Sequence, residues 1–320
     1  MTKLLTQSKA LVDISAAEEN QIEKFISDSD DSTIFHTIIW NKIINNHFSE
    51  VKGSCRIVFS QKGGRICGSY IFYLTKSNFL FNSLNSSLSN AQTPYGGPIH
   101  RGDQLVAKEL IRESENFWGI QKFSITSNPF SEIKITGLEK FSKRILETVV
   151  LDLTVSESDL WKNLDKKTRN QVRKAEKSGI NIEILDTFNS DLIEMYFHMI
   201  EMTMGGISNS RKSFYEDVIN ILSHKKKLKI FMAKYNEEYI SGAIILIFEK
   251  IIYYWDGASN KKFQKLSPNN LLQWEIIKWA RENNYESYDF VRIEPEKLPG
   301  IAKFKLGWGG KVIPYYKFYK

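Results

Sequence analysis

The spacing of apolar residues divides the chain into two stretches that carry similar elements in a similar order. In the first stretch, helical spacing and period-two alternation both occur. They predict helices at residues 18–27, 34–47 and about 104–118, and strands at 55–61, 65–74, 123–126 and 146–153. The hairpin turn at Lys62-Gly63-Gly64 is expected because glycine readily supplies the positive φ of a tight turn.

The second stretch repeats this pattern with clearer boundaries. It predicts strands at 180–185, 228–235, 239–248, 251–255, 287–293 and 311–319, with helices at 191–202, 213–222 and 268–282. This order resembles the GNAT acyltransferase fold, and the first stretch resembles a degenerate copy of it. We therefore predict an α+β chain with two GNAT-like lobes in tandem, mixed sheets flanked by helices, over residues 1–150 and 151–320. A pair of unrelated α+β domains is the alternative.

Composition narrows the function classes. The chain has 320 residues, of which 42% are hydrophobic, and its two cysteines, Cys55 and Cys67, lie in the predicted hairpin without metal-ligand spacing. We expect free thiols in a reducing compartment and no metal. The longest apolar run, residues 240–248, is too short to span a membrane, and the N-terminus lacks a signal-peptide core. A cytoplasmic protein with no integral membrane segment is expected. The net charge of +7 favours anionic partners, including tRNA, nucleotide phosphates or a peripheral acidic membrane surface.

Residues 159–178 are predicted to form one strongly basic helix, which Ser156 caps and which ends at Ser178-Gly179. One face carries Lys162, Lys166, Arg169, Arg173 and Lys177. Like charges repel at this spacing, and an anionic ligand would relieve the repulsion. We therefore expect ligand contact through Arg169 and Arg173, while a solvated charged face is the alternative. The run LWKNLDKKTRNQVRKAEKSGINIEI resembles the signature segment of the FemAB family, whose members transfer aminoacyl groups from tRNA in building peptidoglycan bridges.

The segment before the helix at 268–282 bears on the acyl donor. CoA-dependent GNAT enzymes carry a glycine-rich pyrophosphate loop there, and this chain has none. Ser267 is placed to cap the helix and Pro268 to open it, so Ser267 and Asn269 are predicted to contact the donor at the helix start. FemAB-type enzymes resemble the chain in lacking this loop. This favours aminoacyl-tRNA as the donor substrate over acyl-CoA, with no permanently bound cofactor.

The segment FKLGWGG near the C-terminus resembles a second FemAB motif. By that resemblance, Lys305 lies at the acyl-transfer site, with Phe304, Trp308, Gly309 and Gly310 around the substrate. A fixed cation there would stabilise the tetrahedral oxyanion. Asp256 and Asp289 are the candidate general bases, because splayed strands of a GNAT fold would bring both towards the donor groove. Family members often have glycine after the second of these strands, where this chain has Val291 and Arg292.

In the first lobe, STIFHTIIWNKI and TPYGGPI resemble FemAB segments. The resemblance implies that this lobe binds a nucleotide-sugar or lipid-linked acceptor, and our acceptor-side predictions are Lys42, Tyr95 and Gly96. Phe35 and Trp40 are expected in the core. The long helical hairpin that several family members use for tRNA is absent from this sequence.

Three functions are compatible with these patterns. The first is aminoacyl transfer from tRNA to an amine of a cell-wall precursor. The second is acyl-CoA-dependent N-acetylation of an amino sugar of a surface polysaccharide. The third, a non-catalytic basic module that binds RNA or a membrane surface, leaves FKLGWGG without a role.

Overall fold

The computed structural model of the chain describes residues 3–48, 54–77, 81–117, 120–131, 137–185, 190–204 and 209–320. Two compact units divide the chain: Met1–Leu146 with Pro314–Lys320 form the first, and Glu147–Ile313 form the second. The C-terminal segment thus packs in the first unit, whereas the sequence assigns it to the second lobe. Within the described ranges, no helix is both long and apolar enough to cross a membrane.

The first unit is a sheet covered by helices. Its elements are β1 (Leu4–Ala10), α1 (Ala16–Ser27), α2 (Ile38–His47), β2 (Cys55–Lys62), β3 (Arg65–Ser77), β4 (Phe81–Asn85), α3 (Gln104–Glu115) and β5 (Ile120–Thr126). Strands β1 to β5 are neighbours in chain order, and the C-terminal strand joins β5 at Lys317↔Thr126. The amphipathic helix α3 buries Val106 and Leu110 in a core with Tyr70 and Phe72. The predicted continuation of this helix to Trp118 lies outside the described residues.

The second unit contains the remaining elements, except that the first residues of β6 and the last residues of β12 belong to the first unit. They are β6 (Ser142–Asp152), α4 (Glu157–Asn163), α5 (Lys166–Lys177), β7 (Asn181–Leu185), α6 (Ser190–Met204), α7 (Asn209–His224), β8 (Leu228–Tyr235), β9 (Glu238–Phe248), β10 (Ile251–Ser259), α8 (Pro268–Glu282), β11 (Ser287–Asp289), α9 (Pro299–Leu306) and β12 (Lys311–Tyr319). The strand order is β6-β11-β10-β9-β8-β7. Tyr288, Ile252, Ile245 and Trp274 are among the side chains of its core.

Two neighbouring strands of this sheet separate after a short parallel pairing. Residues Ile251 to Tyr253 of β10 pair with Ser287 to Asp289 of β11. Beyond Tyr253, β10 continues against β9 with a bulge between Tyr254 and Asp256, while β11 ends at Asp289. A bulge re-aims the side chains beside it, and the separation opens the sheet where both candidate carboxylates lie.

The single basic helix predicted at residues 159–178 is wrong, because the chain forms two helices there. Helix α4 begins with the Ser156 hydroxyl accepting from the Asp159 N–H, as expected, but Leu164 leaves the helical conformation. Asp165 then caps α5, its carboxylate accepting from the Thr168 N–H at 2.5 Å. The N-cap preference of aspartate therefore starts a new helix inside a stretch whose apolar periodicity is continuous.

Candidate active site

Lys305 lies on α9 and extends towards the end of β11. Its Nζ donates to the carbonyl oxygens of Val291 at 2.5 Å and Arg292 at 3.0 Å. Burial lowers the pKa of the Lys305 ammonium from 10.5 to about 8, against the opposing effects of Asp289 and Glu294. The ammonium is therefore held in place by backbone oxygens and remains largely protonated at neutral pH.

The loop that holds Lys305 has an unusual backbone. Val291 has φ 53° and Arg292 has φ 22°, and neither is glycine. A β-branched residue with positive φ is an outlier, and such strain costs about 1–3 kcal/mol. The left-handed geometry is thus kept without a glycine at either position. It is this geometry that turns two consecutive carbonyls towards the Lys305 ammonium.

Asp289 is fully buried at the end of β11 and fixes the start of that loop. Its Oδ1 accepts from the Thr148 hydroxyl at 2.5 Å and from the Val291 N–H at 2.8 Å. A carboxylate with these partners orients the backbone that in turn orients Lys305. The structure brings Asp289 and Lys305 together as predicted, but it gives Asp289 the position of a supporting group.

Asp256 lies in different surroundings, beside the bulge in β10. The hydroxyl of Tyr196 on α6 donates to its Oδ2 at 3.0 Å. Burial raises the pKa of the Asp256 carboxyl, against the opposing effects of Tyr196, Tyr215 and Arg211. A carboxyl with a raised pKa is a better proton acceptor, which suits a general base.

Tyr196, Arg211 and Tyr215 are not among the residues that the sequence predicts for the site. They come from α6 and α7, far from the recognised motifs, and the Arg211 guanidinium lies 5.9 Å from the Tyr215 ring. The one available signal was the four-residue spacing of Arg211 and Tyr215, which places both on one face of α7.

The FKLGWGG residues around Lys305 serve mainly in packing. Trp308 is buried, with its ring 6.3 Å from Phe290 and 6.0 Å from Phe304. The resemblance places Gly309 and Gly310 around the substrate, whereas the structure shows their backbone packed closely against protein. A Cβ on Gly309 would lie 2.7 Å from the Asn163 carbonyl carbon, and one on Gly310 would lie 2.7 Å from Val149.

The two arginines of the basic stripe also have protein partners. One guanidinium nitrogen of Arg169 donates to the carbonyls of Leu164 and Lys162, the latter at 2.9 Å, at the end of α4. Arg173 lies over the Trp161 ring at 5.2 Å, and Trp161 packs on Trp274 at 4.9 Å. Arg169 therefore stabilises the break between the two helices, while the exposed Arg173 stays a predicted ligand contact.

The start of α8 has the predicted residues but not the predicted hydrogen bond. Ser267 is the N-cap residue and Pro268 begins the helix, yet Ser267 adopts a left-handed conformation, φ 60°, and its side chain makes no capping hydrogen bond. The Asn269 side chain accepts from the Ser241 hydroxyl on β9, which anchors the helix to the sheet. Donor contact by Ser267 and Asn269 stays a prediction.

The acceptor-side residues predicted in the first unit occupy structural positions. Lys42 forms a salt bridge with Glu19 at 2.6 Å, joining α2 to α1. Tyr95 is fully buried, with its ring 5.7 Å from Phe35 and 5.1 Å from Tyr315. Gly96 packs so closely on Ser86 that its Cβ would lie 2.7 Å from the carbonyl carbon. Phe35 and Trp40 are in the core, as expected.

Comparison with known proteins defines the class to which this site belongs. Residues 162–306 match the acetyltransferase (GNAT) domain family. The crystal structure of FemX superposes with a TM-score of 0.74 at 14% identity, covering 97% of this chain and 96% of that one. A tandem GNAT protein from the clavulanic acid biosynthesis pathway superposes with a TM-score of 0.58 at 9% identity, covering 99% and 98%. The chain is thus an α+β protein with two GNAT-like lobes in tandem, which confirms the predicted fold class.

A sequence relative adds to this likeness. The lipid II:glycine glycyltransferase of Staphylococcus epidermidis is 27% identical over 136 residues, which are 39% of this chain and 33% of that protein. The match therefore spans about a third of the length of that relative. Together with the structural likeness to FemX, it confirms the resemblance that the motifs predict: the chain is FemAB-like.

Proposed function

We propose that this protein transfers an aminoacyl group from aminoacyl-tRNA to an amine of a cell-wall precursor. The observation that carries the proposal is the Lys305 ammonium, held by two backbone carbonyls where β10 and β11 separate. A positioned cation stabilises the charge that develops when an amine attacks an ester carbonyl. The likeness to lipid II:glycine glycyltransferases supports a lipid-linked or nucleotide-linked acceptor of this kind.

In the proposed reaction, the acceptor amine attacks the carbonyl carbon of the aminoacyl ester. The carbonyl oxygen becomes an oxyanion, which Lys305 stabilises as an ammonium. Asp256, whose pKa burial raises, accepts the proton that the amine loses. The bond between the carbonyl carbon and the ribose oxygen then breaks, the ribose oxygen takes up the proton that Asp256 accepted, and an amide remains on the acceptor.

A second candidate is acyl-CoA-dependent N-acetylation of an amino sugar. It is supported by the description of the matched family as an acetyltransferase domain. It is also supported by three lysines, Lys261, Lys262 and Lys265, that precede the start of α8, because a helix N-terminus with adjacent cations suits a pyrophosphate. The absence of the glycine-rich loop from the sequence counts against it.

The test is a transfer assay with radiolabelled donors at fixed salt. A pool of aminoacyl-tRNA and acetyl-CoA are each offered with a UDP-linked muramyl peptide that carries a free lysine amine. The matched control is the same acceptor with that amine acetylated. We expect label to move from aminoacyl-tRNA to the free amine and not to the blocked acceptor. Transfer from acetyl-CoA without transfer from aminoacyl-tRNA would establish the second candidate instead.

A further inference from the structure

A groove of about 900 Å³ lies in the second unit at the end of the sheet where β10 and β11 begin. It is lined by side chains from α7, β8 and the end of α8. Its polar and aromatic lining includes His224, Lys226, Lys229, Trp279, Asn283 and Tyr285. No carboxylate appears in the lining that the described residues provide. The groove is thus cationic and partly aromatic.

The aromatic wall is anchored to the core beneath it. Trp279 and Tyr285 lie 5.4 Å apart with their rings tilted by 35°, and the edge of Phe231 supports Trp279 at 5.3 Å. Both residues remain partly exposed. Rings fixed in this way offer a flat apolar surface to a planar ligand group at little cost in side-chain entropy.

The cationic wall belongs to the segment HKKKLK, residues 224–229, which connects α7 to β8. His224, Lys225 and Lys226 are exposed, and Lys226 has a left-handed backbone, φ 57°. Lys227 is turned away, with its ammonium 5.2 Å from the centroid of the Phe248 ring. Consecutive like charges repel one another, and an anion at the groove would lower that cost.

A second groove of the same unit has the opposite character. It measures about 800 Å³ and is lined by four carboxylate residues, Asp191, Glu194, Glu237 and Glu238, with Lys234. Positive charge is therefore concentrated at one groove of this unit and does not simply follow from the net charge of the chain. The cationic groove combines phosphate-binding side chains with an aromatic surface, which is the combination that single-stranded nucleic acid requires.

We propose that the cationic groove binds a nucleotide unit of an RNA strand, with the base against Tyr285 and Trp279. The phosphates would lie beside Lys226, which lines the groove, and the exposed Lys225 that precedes it. Tyr285 precedes β11, and Asp289 ends it, so the groove and the transfer site lie at opposite ends of this strand. In this role the groove would hold the body of the tRNA donor. The role therefore rests on the proposed function.

The test measures binding of a labelled, uncharged tRNA by fluorescence anisotropy between about 0.05 and 0.3 M salt. The charge variant is Lys225→Ala with Lys226→Ala, and its control is Lys122→Ala with Lys140→Ala. The control lysines are exposed in the first unit, so both variants lose the same charge. The aromatic variant is Tyr285→Leu.

We expect the charge variant to bind tRNA at least fivefold more weakly than the control. The slope of log K against log salt should fall by about 1.4, at roughly 0.7 per lysine that contacts a single strand. Tyr285→Leu should weaken binding about tenfold, because it removes a stacked base contact. Binding within twofold of the control for both groove variants would overturn the proposal. So would a selective loss of binding to phosphatidylglycerol vesicles, which would assign the groove to a lipid surface.

A second readout separates this proposal from the proposed function. An aminoacyl ester of adenosine lacks the phosphates and the further nucleotides through which the groove would hold a tRNA. Transfer from this donor should be unchanged in the groove variants while tRNA binding falls. If no donor supports transfer, the proposed function fails, and the anisotropy result still decides whether the groove binds RNA.

Discussion

Replacing Lys305 with methionine should separate the stability of this protein from its activity. The substitution keeps an unbranched side chain of similar length and removes the ammonium. The folded state holds this ammonium with a pKa of about 8, compared with 10.5 for an ordinary lysine. At about 1.36 kcal/mol per pH unit, holding the charged form in this partly buried position costs roughly 3 kcal/mol at neutral pH.

Removing the ammonium relieves the parent of this cost, but the loss of two hydrogen bonds offsets part of the stability that the variant gains. The carbonyls of Val291 and Arg292 lose their donor, and each lost bond costs about 1 kcal/mol. We therefore expect Lys305→Met to be more stable than the parent by about 1 kcal/mol at pH 7. The sign changes with pH. Between about 8 and 10.5 the unfolded parent binds more protons than the folded parent, so the stability of the parent rises with pH.

The assay is urea unfolding of parent and variant at pH 7.0 and 9.5. From the two pKa values, the parent should gain about 2 kcal/mol relative to the variant over this interval. The free energy of unfolding of the methionine variant, which lacks this ammonium, should change with pH only through the other titrating groups. A stability difference that does not change between the two pH values would refute the assignment of Lys305 as a desolvated ammonium.

Transfer activity of the same variant gives the second half of the prediction. Loss of an oxyanion donor lowers the rate by about 10²–10³-fold. In the parent, the rate should fall as the pH rises through about 8, because the ammonium loses its proton there. Retained activity in a folded Lys305→Met variant would show that Lys305 does not act in the transfer reaction.

The other predictions concern the proposed base, a glycine and a helix cap. Asp256→Asn should lower transfer by about 10²-fold or more without unfolding the protein, and the parent rate should fall on the acid side as the raised pKa of Asp256 is crossed, both measured by initial rates. Gly309→Ala should destabilise by about 2 kcal/mol or more in urea, because its φ is 74° and the new Cβ meets Asn163, whereas Gly300→Ala, with open space around it, should be neutral or stabilising. Asp165→Ala should cost about 1 kcal/mol by the same measurement, since α5 loses its N-cap.

The sequence predicts the elements of the second unit well where the hydrophobic periodicity agrees with the residues that begin and end helices and strands. Strand β8, helix α8 and strand β12 have the predicted bounds, and α8 begins at a proline, which favours the first helical position. Strand β1 was missed. Its sequence LLTQSKA is largely polar, and it gains its strand conformation by pairing with β2 at the edge of the sheet. Such pairing is a tertiary effect that local alternation does not report.

The basic segment shows that a charge pattern alone does not predict the role of an arginine, because that role depends on the backbone beside it. The repulsion within the basic stripe predicts an anionic ligand that would relieve it. In the structure, the guanidinium of Arg169 instead donates to carbonyl oxygens at the break between α4 and α5. The last carbonyls of a helix need such donors. The helix start at Asp165 is visible in the sequence as an N-cap residue, but continuous apolar spacing outweighed it in the prediction.

The candidate site was predictable as a set of residues and not as a set of roles. The motifs point to Lys305, Asp256 and Asp289 together, and sequence gives no reason to rank the two carboxylates. The backbone does. The positive φ of Val291 directs carbonyls to Lys305, and Asp289 holds the Val291 N–H and the Thr148 hydroxyl from a fully buried position. A carboxylate committed to these donors supports the ammonium, which leaves Asp256, partly exposed at the bulge of β10, as the better placed proton acceptor.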